Sequence, residues 1–553
     1  MKQYKSLIVI AFACLTLASC SDYLTTQLMN QKTTSNFYQT PSDAMTALTG
    51  CYNGLYLIGT TGNMNPAFNV VSEVMSDNCL GGGGASDPLN YPIIDAENPN
   101  INPGIIDLFL PHWNLYYQAV FRCNELIQNE DNVDWASEPT TLTKDQCDGE
   151  VKFLRAYFYF DMVRLWGNIP LLTTASTDNL PQASPDSVYM QIVSDLKDAI
   201  SELPAVSVAS QPYTGRVTKW AAEAMLARVF LFYTGYYGKT DVAGFTKTDA
   251  LAAVEDVIAN SGHSLVPNFT SLWPGPSTQK GITYAGELNP EIVFSIRYTY
   301  ANSNYYSGQW NGNNWMVQMT MRAGGVKSYL YPFGDGWGMC NVDPKLYAAF
   351  DPNDSIRRFA SIINMAVEYP DYTHTSELQE GGGYGPSLEY TGFQNKKYVN
   401  LANENGTDLA VAAGGVNNQV SQYQDYFVIR YADVLLMAAE LGSPNTESYF
   451  NQVHTRAGLP SIGSGLTKAQ ILDERRFEFA FEGIRYWDLL RQGINAAAAT
   501  IVANTTLNMV HDGSNNPAGN FTAQNFITTG GFLQIPQSQI TASGGVLKQN
   551  PGW

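Results

Sequence analysis

The densest run of reactive side chains lies near the C-terminus. It reads Asp473-Glu474-Arg475-Arg476-Phe477-Glu478, followed by Glu482, Arg485, Asp488 and Arg491. Glu474 and Glu478 stand one helical turn apart, as do Glu478 and Glu482, so a helix would present them on one face. Arginine forks bind carboxylates in pairs. The run could pass for an acid–base site, but structural networks cluster charge in the same way; the reading here is a set of ion pairs bracing neighbouring helices. Other catalytic patterns are missing. The five histidines, His112, His263, His374, His454 and His511, include no two at metal-ligand spacing. There is no HExxH, G-x-S-x-G elbow, CxxC or EF-hand loop. A glycosidase needs two carboxylates across the scissile bond, and among 50 acidic residues spacing singles out no such pair. The expectation is a protein that is not an enzyme, with no cofactor and no metal.

A second chemistry is carried by aromatics. Ten of them fall in residues 298–340, about twice the 12% share of the whole chain, while only Arg322, Lys327 and Asp335 there are charged. Asn302, Asn304, Gln309, Asn311, Asn313 and Asn314 are interleaved with the rings. Flat rings beside amides suit a pyranose, whose C–H face packs on an aromatic while its hydroxyls take polar partners. The alternative is that several rings fill a local core. Trp310 and Trp315 are the leading candidates, because the Gly and Asn around them predict an exposed loop. Tyr305, Tyr306 and Trp337 belong to the same stretch, and Trp273, in Leu272-Trp273-Pro274-Gly275, is a further candidate.

The elements that must position these residues are mostly helical. Thr40-Pro41-Ser42-Asp43 is a helix start predicted to run to about Leu57. Residues 59–105, with Gly81 to Gly84 and several Pro and Asn, read as a long loop region. Val151, Leu154, Phe158, Met162 and Leu165 trace a buried helix face that Gly167 and Pro170 end. Ser184-Pro185-Asp186 starts another helix with Val188, Ile192, Leu196 and Ile200 on one side. Trp220 to Leu231 and Tyr431 to Ala439 mark two more. Thr467-Lys468-Ala469-Gln470 fits a capping box, with Gly483 as the stop. Helices in pairs without a strict period suggest a degenerate tetratricopeptide-like array. Between about 262 and 425 this texture fades into Gly, Asn, Tyr and Pro, and Asp343-Pro344 starts one of its few short helices. The expectation is a helical scaffold over about 40–261 and 426–553, carrying a loop-rich subdomain over about 262–425.

The N-terminus is a processing segment. Lys2 and Lys5 precede an apolar stretch of 12 residues, Leu7 to Ala18, short of the roughly 20 needed to span a bilayer. It reads as an export signal covering residues 1–19. Leu17-Ala18-Ser19-Cys20 resembles the bacterial lipobox, in which the Cys is acylated and becomes the first mature residue; the alternative is an ordinary secretory signal with an incidental Cys. Residues 20–39 then form an extended leader on a lipid tether. Cys51, Cys79, Cys123, Cys147 and Cys340 remain, too scattered for a disulfide framework, though one pair could form. The chain has 31 Lys plus Arg against 50 Asp plus Glu, a net charge of −19. With no basic stripe, nucleic-acid binding is excluded as a function class.

Together these blocks resemble the RagB/SusD family. The run from Asp473 to Arg491 is similar to that family's signature. So are Lys152 to Phe160 with Leu165-Trp166-Gly167-Asn168-Ile169-Pro170-Leu171, Gly215-Arg216-Val217-Thr218-Lys219-Trp220, and the ending Phe532-Leu533-Gln534-Ile535-Pro536 with Asn550-Pro551-Gly552-Trp553. The resemblance implies a SusD-like fold, mostly α, with tetratricopeptide-like helix pairs as scaffold and an irregular loop-rich subdomain carrying the ligand site. It implies a lipoprotein of the outer membrane of Bacteroidetes, anchored only by its lipid and exposed at the cell surface. Its partners would be an oligosaccharide or polysaccharide ligand and a SusC-like TonB-dependent transporter. Peptide or glycopeptide binding on the same fold is the main alternative, and a surface glycosidase a more distant one. The family also places a polar, Asp-containing segment near the ligand side, which here is Asp77 and Asn78, in Ser76-Asp77-Asn78-Cys79; a helix or turn cap is the other role open to them. Only Asp22 follows Cys20 closely, where surface-exposed members of the family often carry several acidic residues. Cys20→Ala is expected to leave the protein soluble or unprocessed, because the acylated cysteine is the one membrane attachment in the sequence; normal recovery in the membrane fraction would refute the anchor.

Overall fold

The structure, a computed structural model, describes residues 32, 37–59, 67–84, 87–97, 107–210, 214–301, 311–323, 329–369, 387–505 and 521–553. It is about 51% helical, and the helices pack largely as sequence neighbours. Pro41–Gly59 lies against Leu110–Asn129, which lies against Lys144–Trp166. That helix packs on Pro185–Glu202, the next on Lys219–Tyr237, and the next on Lys247–Asn260. Tyr431–Glu440 then joins Lys247–Asn260 and Thr446–Arg456.

Local chemistry accounts for where these helices begin and end. Thr143 caps Lys144–Trp166 by accepting the Gln146 N–H, and Gly167, at φ 67°, stops it. Beyond Phe153 every residue of this helix is buried, because neighbours cover it on several sides. Its charged side chains are therefore partnered within the core: Arg155 forks onto Asp195 at 2.6 and 2.8 Å, and Arg164 reaches Asp161 at 2.5 Å. Ser184 caps Pro185–Glu202, with Pro185 in the first turn. Thr467 and Gln470 form the reciprocal capping box at the start of Lys468–Glu478 that their spacing predicts.

Residues 59–105 differ from the expected loop. They hold the helices Phe68–Val74 and Asn90–Ala96 and the strands Cys79–Gly81 and Gly83–Gly84. Seven-residue helices carry too few turns to show a periodicity, and alone they would not be stable; burial of the whole Phe68–Val74 helix in the core holds it.

After residue 262 the elements are short, and the described strands form two-stranded antiparallel pairs. The longest pair joins Ile292–Ile296 to Tyr426–Arg430, in register Tyr426↔Ile296 and Arg430↔Ile292, with irregularities about Ile429. The chain thus leaves and re-enters the scaffold on adjacent strands, and the excursion of residues 297–425 is tied at its base. Cys79–Gly81 pairs with Cys340–Val342, and Gly83–Gly84 with Ser387–Leu388, which stitches the early segment to this excursion. One large core runs through the scaffold. A second, small core of Met321, Ala323, Leu330, Phe333, Ile363, Met365, Val399 and Leu401 lies within the excursion.

At the base of the excursion sits a buried lattice of ion pairs. Arg430 donates to Glu291 at 2.5 Å, Glu478 at 3.0 Å and Glu482 at 2.8 Å. Arg456 reaches the same Glu291 and Glu478 at 2.5 and 2.6 Å. Arg357 bonds Asp354 and Glu474, both at 2.6 Å, and Lys397 bonds Glu482 at 2.7 Å. On the same helix, Arg475 turns the other way, to Asp433 at 2.5 Å and Asp488 at 2.7 Å. Arg491 joins Asp488 and Glu440. Burial alone would raise the Glu478 pKa, but Arg456, Arg430 and Arg357 hold it down at about 2. The turn that follows is strained: Phe481 has φ 67°, rare for an aromatic. It is held by the Glu73 carboxylate accepting the Gly483 N–H at 2.7 Å, by Tyr426 donating to the Glu482 carbonyl, and by Lys397 donating to the Glu478 carbonyl. Arg430→Met is expected to destabilise the protein by about 3–5 kcal/mol, the cost of stranding buried carboxylates. Chemical denaturation measures it, and an unchanged midpoint would show that the lattice does not hold the excursion.

Candidate functional site

Several of the residues proposed for ligand contact from the sequence lie inside the protein. Asp77 and Asn78 have 0% exposure. Arg485 forks onto Asp77 at 2.7 and 3.0 Å, Arg476 reaches it at 3.1 Å, and Asn504 adds a bond at 2.9 Å. Burial pushes the Asp77 pKa up, and Arg485 and Arg476 outweigh it, holding the group at about 2. Asn78 accepts from Arg476 Nε at 3.1 Å. The pair is a structural tie between the early segment and the arginine-rich run, which corrects the expectation of a ligand contact there.

Trp315 and Trp273 are corrected in the same way, both at 0% exposure. Trp315 lies on the fully buried helix Asn314–Met319, with its ring 4.5 Å from that of Tyr398 and 5.3 Å from that of Tyr426. Trp273 packs 5.1 Å from Tyr398 and 5.3 Å from Phe427, with the Lys397 ammonium over its face. The Asn residues around Trp315 suggested water, but their amides turn inward. Asn313 donates to the Gln424 carbonyl at 2.9 Å and Asn314 to the Gln419 carbonyl at 2.8 Å. Side-chain amides that satisfy a neighbouring backbone let a polar sequence pack as core. Trp337 is half-buried against the large core, with its backbone N–H on the Val317 carbonyl. Trp310, Tyr305, Tyr306 and Cys20 lie outside the described residues.

Among the described residues, the exposed aromatics are tyrosines. Tyr329 is 58% exposed, Tyr331 43% and Tyr423 39%. Tyr329 and Tyr331 flank Leu330, which belongs to the small core, so the chain is pinned between two outward rings. Tyr369 holds the same turn, its hydroxyl within 3.2 Å of both the Leu330 and Tyr331 carbonyls. Tyr423 meets half-buried Tyr300 edge-on at 5.5 Å. The segments bearing the two groups are joined by amides: Asn418 reaches the Asp335 carbonyl at 3.5 Å, and Asn400 bonds the same oxygen at 2.8 Å. Arg322 beside them is committed to Asp87 at 2.8 Å, and the absent side chain at Gly84 makes room, since a Cβ there would come within 2.7 Å of the guanidinium. Tyr300, Tyr329 and Tyr331 belong to the aromatic stretch read from the sequence. Tyr423 was missed, although Asn417, Asn418, Gln419 and Gln422 around it carry the same amide-rich signal. Among the described residues, no group of three His, Cys, Asp or Glu is arranged to hold a metal, and no helix is long and apolar enough to cross a membrane. The five described cysteines are buried and free.

Residues 290–553 match the model of the SusD family, and residues 83–231 match a SusD-like model described as starch-binding associating with outer membrane. The chain belongs to the SusD family. It is 27% identical to a SusD-like protein of Formosa agariphila, over 89% of this chain and 92% of that protein. A SusD-like protein of Bacteroides ovatus is 26% identical over 88% and 82%. Among solved structures, surface glycan-binding protein A from Bacteroides thetaiotaomicron, in complex with laminarihexaose, superposes with a TM-score of 0.73 at 24% identity, covering 93% of this chain and 100% of that one. A laminarin-binding SusD-like protein gives 0.68, also at 24% identity, with the same coverage. The fold is therefore the mostly α SusD-like fold. Trp315→Ala should destabilise the protein by about 3–5 kcal/mol, while Tyr331→Ala should shift stability by less than about 0.5 kcal/mol. Denaturation of the two single variants checks this, and equal losses would mean that the tyrosine face is packed shut.

Proposed function

We propose that this SusD-family protein is a non-catalytic glycan-binding lipoprotein of the bacterial surface. Cys20 tethers it to the outer membrane, and it captures oligosaccharides and passes them to a TonB-dependent transporter. The observation that carries the binding role is the tyrosines of the excursion: exposed Tyr329 and Tyr331, anchored through Leu330 on the small core, and exposed Tyr423 against half-buried Tyr300, with amides interleaved. Rings of this kind take the C–H face of a sugar, and amides take its hydroxyls. The solved relatives that bind laminarihexaose or laminarin support the ligand class. The description of the family model over residues 83–231 supports the location. The charge-dense run from Asp473 to Arg491 supports a non-catalytic role, because Glu474, Glu478, Glu482 and Asp488 are buried and each is bonded to an arginine. The loop-rich excursion is the ligand-bearing part, and the helical scaffold its support.

Calorimetric titration with a panel of soluble oligosaccharides, laminarihexaose included, tests the proposal. Tyr331→Ala and Tyr423→Ala should each weaken binding by about 1–3 kcal/mol, as for an aromatic anchor, and chromatography should recover the ligand unchanged. Affinity unaltered in both variants would displace the site from this face, and reproducible release of reducing ends would overturn the non-catalytic role.

A further inference from the structure

Resting on that reading, we infer that the ligand is an uncharged glycan, and that the tyrosine face discriminates against chains carrying carboxylate or sulfate groups. The reason is where the cations of the excursion point. A polyanionic sugar is held by arginine forks or lysine ammoniums free to meet it. Around the tyrosines, the arginines among the described residues are each paired with an aspartate. Arg322, beside the small core, is bonded to Asp87 at 2.8 Å. Arg297, close to Tyr300 in sequence and 44% exposed in its side chain, donates through Nε to Asp425 at 3.1 Å, and the other oxygen of that carboxylate takes the Tyr298 N–H at 3.0 Å.

The remaining cations of the excursion are directed elsewhere. Lys396 and Lys397 have fully buried side chains, bonded to Glu368 at 2.5 Å and Glu482 at 2.7 Å. Arg357 is in the buried lattice. Lys345 donates to the Ala503 and Thr505 carbonyls, and Arg358 lies 5.4 Å over the Tyr347 ring; Lys280, ahead of the excursion in sequence, lies 4.2 Å over the Phe359 ring. Lys327 lies outside the described residues.

What the face does offer is neutral or acidic. Asn418 and Asn400 join its segments, and Asp335, between them and the tyrosines, takes the Ala323 N–H. The chain as a whole has a net charge of −19, so a polyanion would approach against a repulsive field. Sugar hydroxyls meet no such barrier, and their binding should depend little on salt.

The test uses the mature protein and two sets of polysaccharide, neutral (laminarin, xyloglucan, dextran, galactomannan) and anionic (alginate, polygalacturonate, carrageenan), titrated at low and high salt. The expected result is binding of at least one neutral glycan, with an affinity that changes by less than about twofold with salt and falls at least about tenfold in Tyr331→Ala. The anionic set should bind at least about tenfold more weakly than the neutral ligand. An anionic chain that binds more tightly than every neutral one, and loosens with salt, would overturn the inference while leaving glycan binding intact; loss of that binding in Lys327→Ala would trace the error to that lysine. Absence of binding to both sets would overturn the glycan reading itself.

Discussion

The Arg430 guanidinium, with its three glutamates, is the contact on which the rest of the molecule depends. It stands at the last residue of the strand that brings the chain back from its long excursion, and Glu291 stands just before the strand that sends it out. Glu478 and Glu482 come from the helix Lys468–Glu478 and the turn after it. One side chain therefore joins a residue 139 positions earlier in the sequence to residues 48 and 52 positions later. Withdrawing these charges from water is costly, and the cost is offset only when each oxygen and N–H finds a partner. Such a lattice tolerates few arrangements, and that constrains how the excursion can seat on the scaffold.

The run from this helix through the turn and the next helix, Arg485–Leu490, faces both ways. Glu474, Glu478 and Glu482 hold the excursion through Arg357, Arg430 and Lys397. Arg475 and Arg491 hold the scaffold through Asp433, Asp488 and Glu440, and Arg476 and Arg485 hold the early segment through Asp77. The strained turn at Phe481 lets the chain reverse within this space, with Glu73 clamping its backbone. A rigid base of this kind allows the outer surface to be built from short strands and turns without losing position. Leu330 anchors the segment between outward Tyr329 and Tyr331, so in the proposed role the rings would be held in advance and less ordering entropy would be lost on binding.

Much of the scaffold was legible because its signals are local. The Thr143, Ser184 and Thr467 caps and the Gly167 stop act within one helical turn, and the apolar spacing from Val151 to Leu165 describes a face that any neighbour would have to cover. The family resemblance, carried by the run from Asp473 to Arg491, stood on the same residues that proved to be the lattice. The reading of these residues as braces rested on residue type, and the structure pairs Glu474, Glu478, Glu482 and Asp488 with arginines accordingly. The two short helices between 59 and 105 were not legible, because seven residues in a Gly- and Asn-rich setting carry no period and owe their form to burial.

The exposure of individual side chains was beyond the sequence. Asparagine beside Trp315 and aspartate at position 77 looked like surface, because composition reports what a residue prefers on average. In the folded chain the Asn313 and Asn314 amides close onto the backbone of residues 419–424, and Asp77 meets two arginines from residues about 400 positions away. Each of these contacts depends on a partner distant in sequence, so no window along the chain contains it. Residue types and spacing sufficed for the longer helices, the charge class and the family. Which rings face water was settled by long-range hydrogen bonds that turn a polar stretch inward and leave Tyr329, Tyr331 and Tyr423 outside.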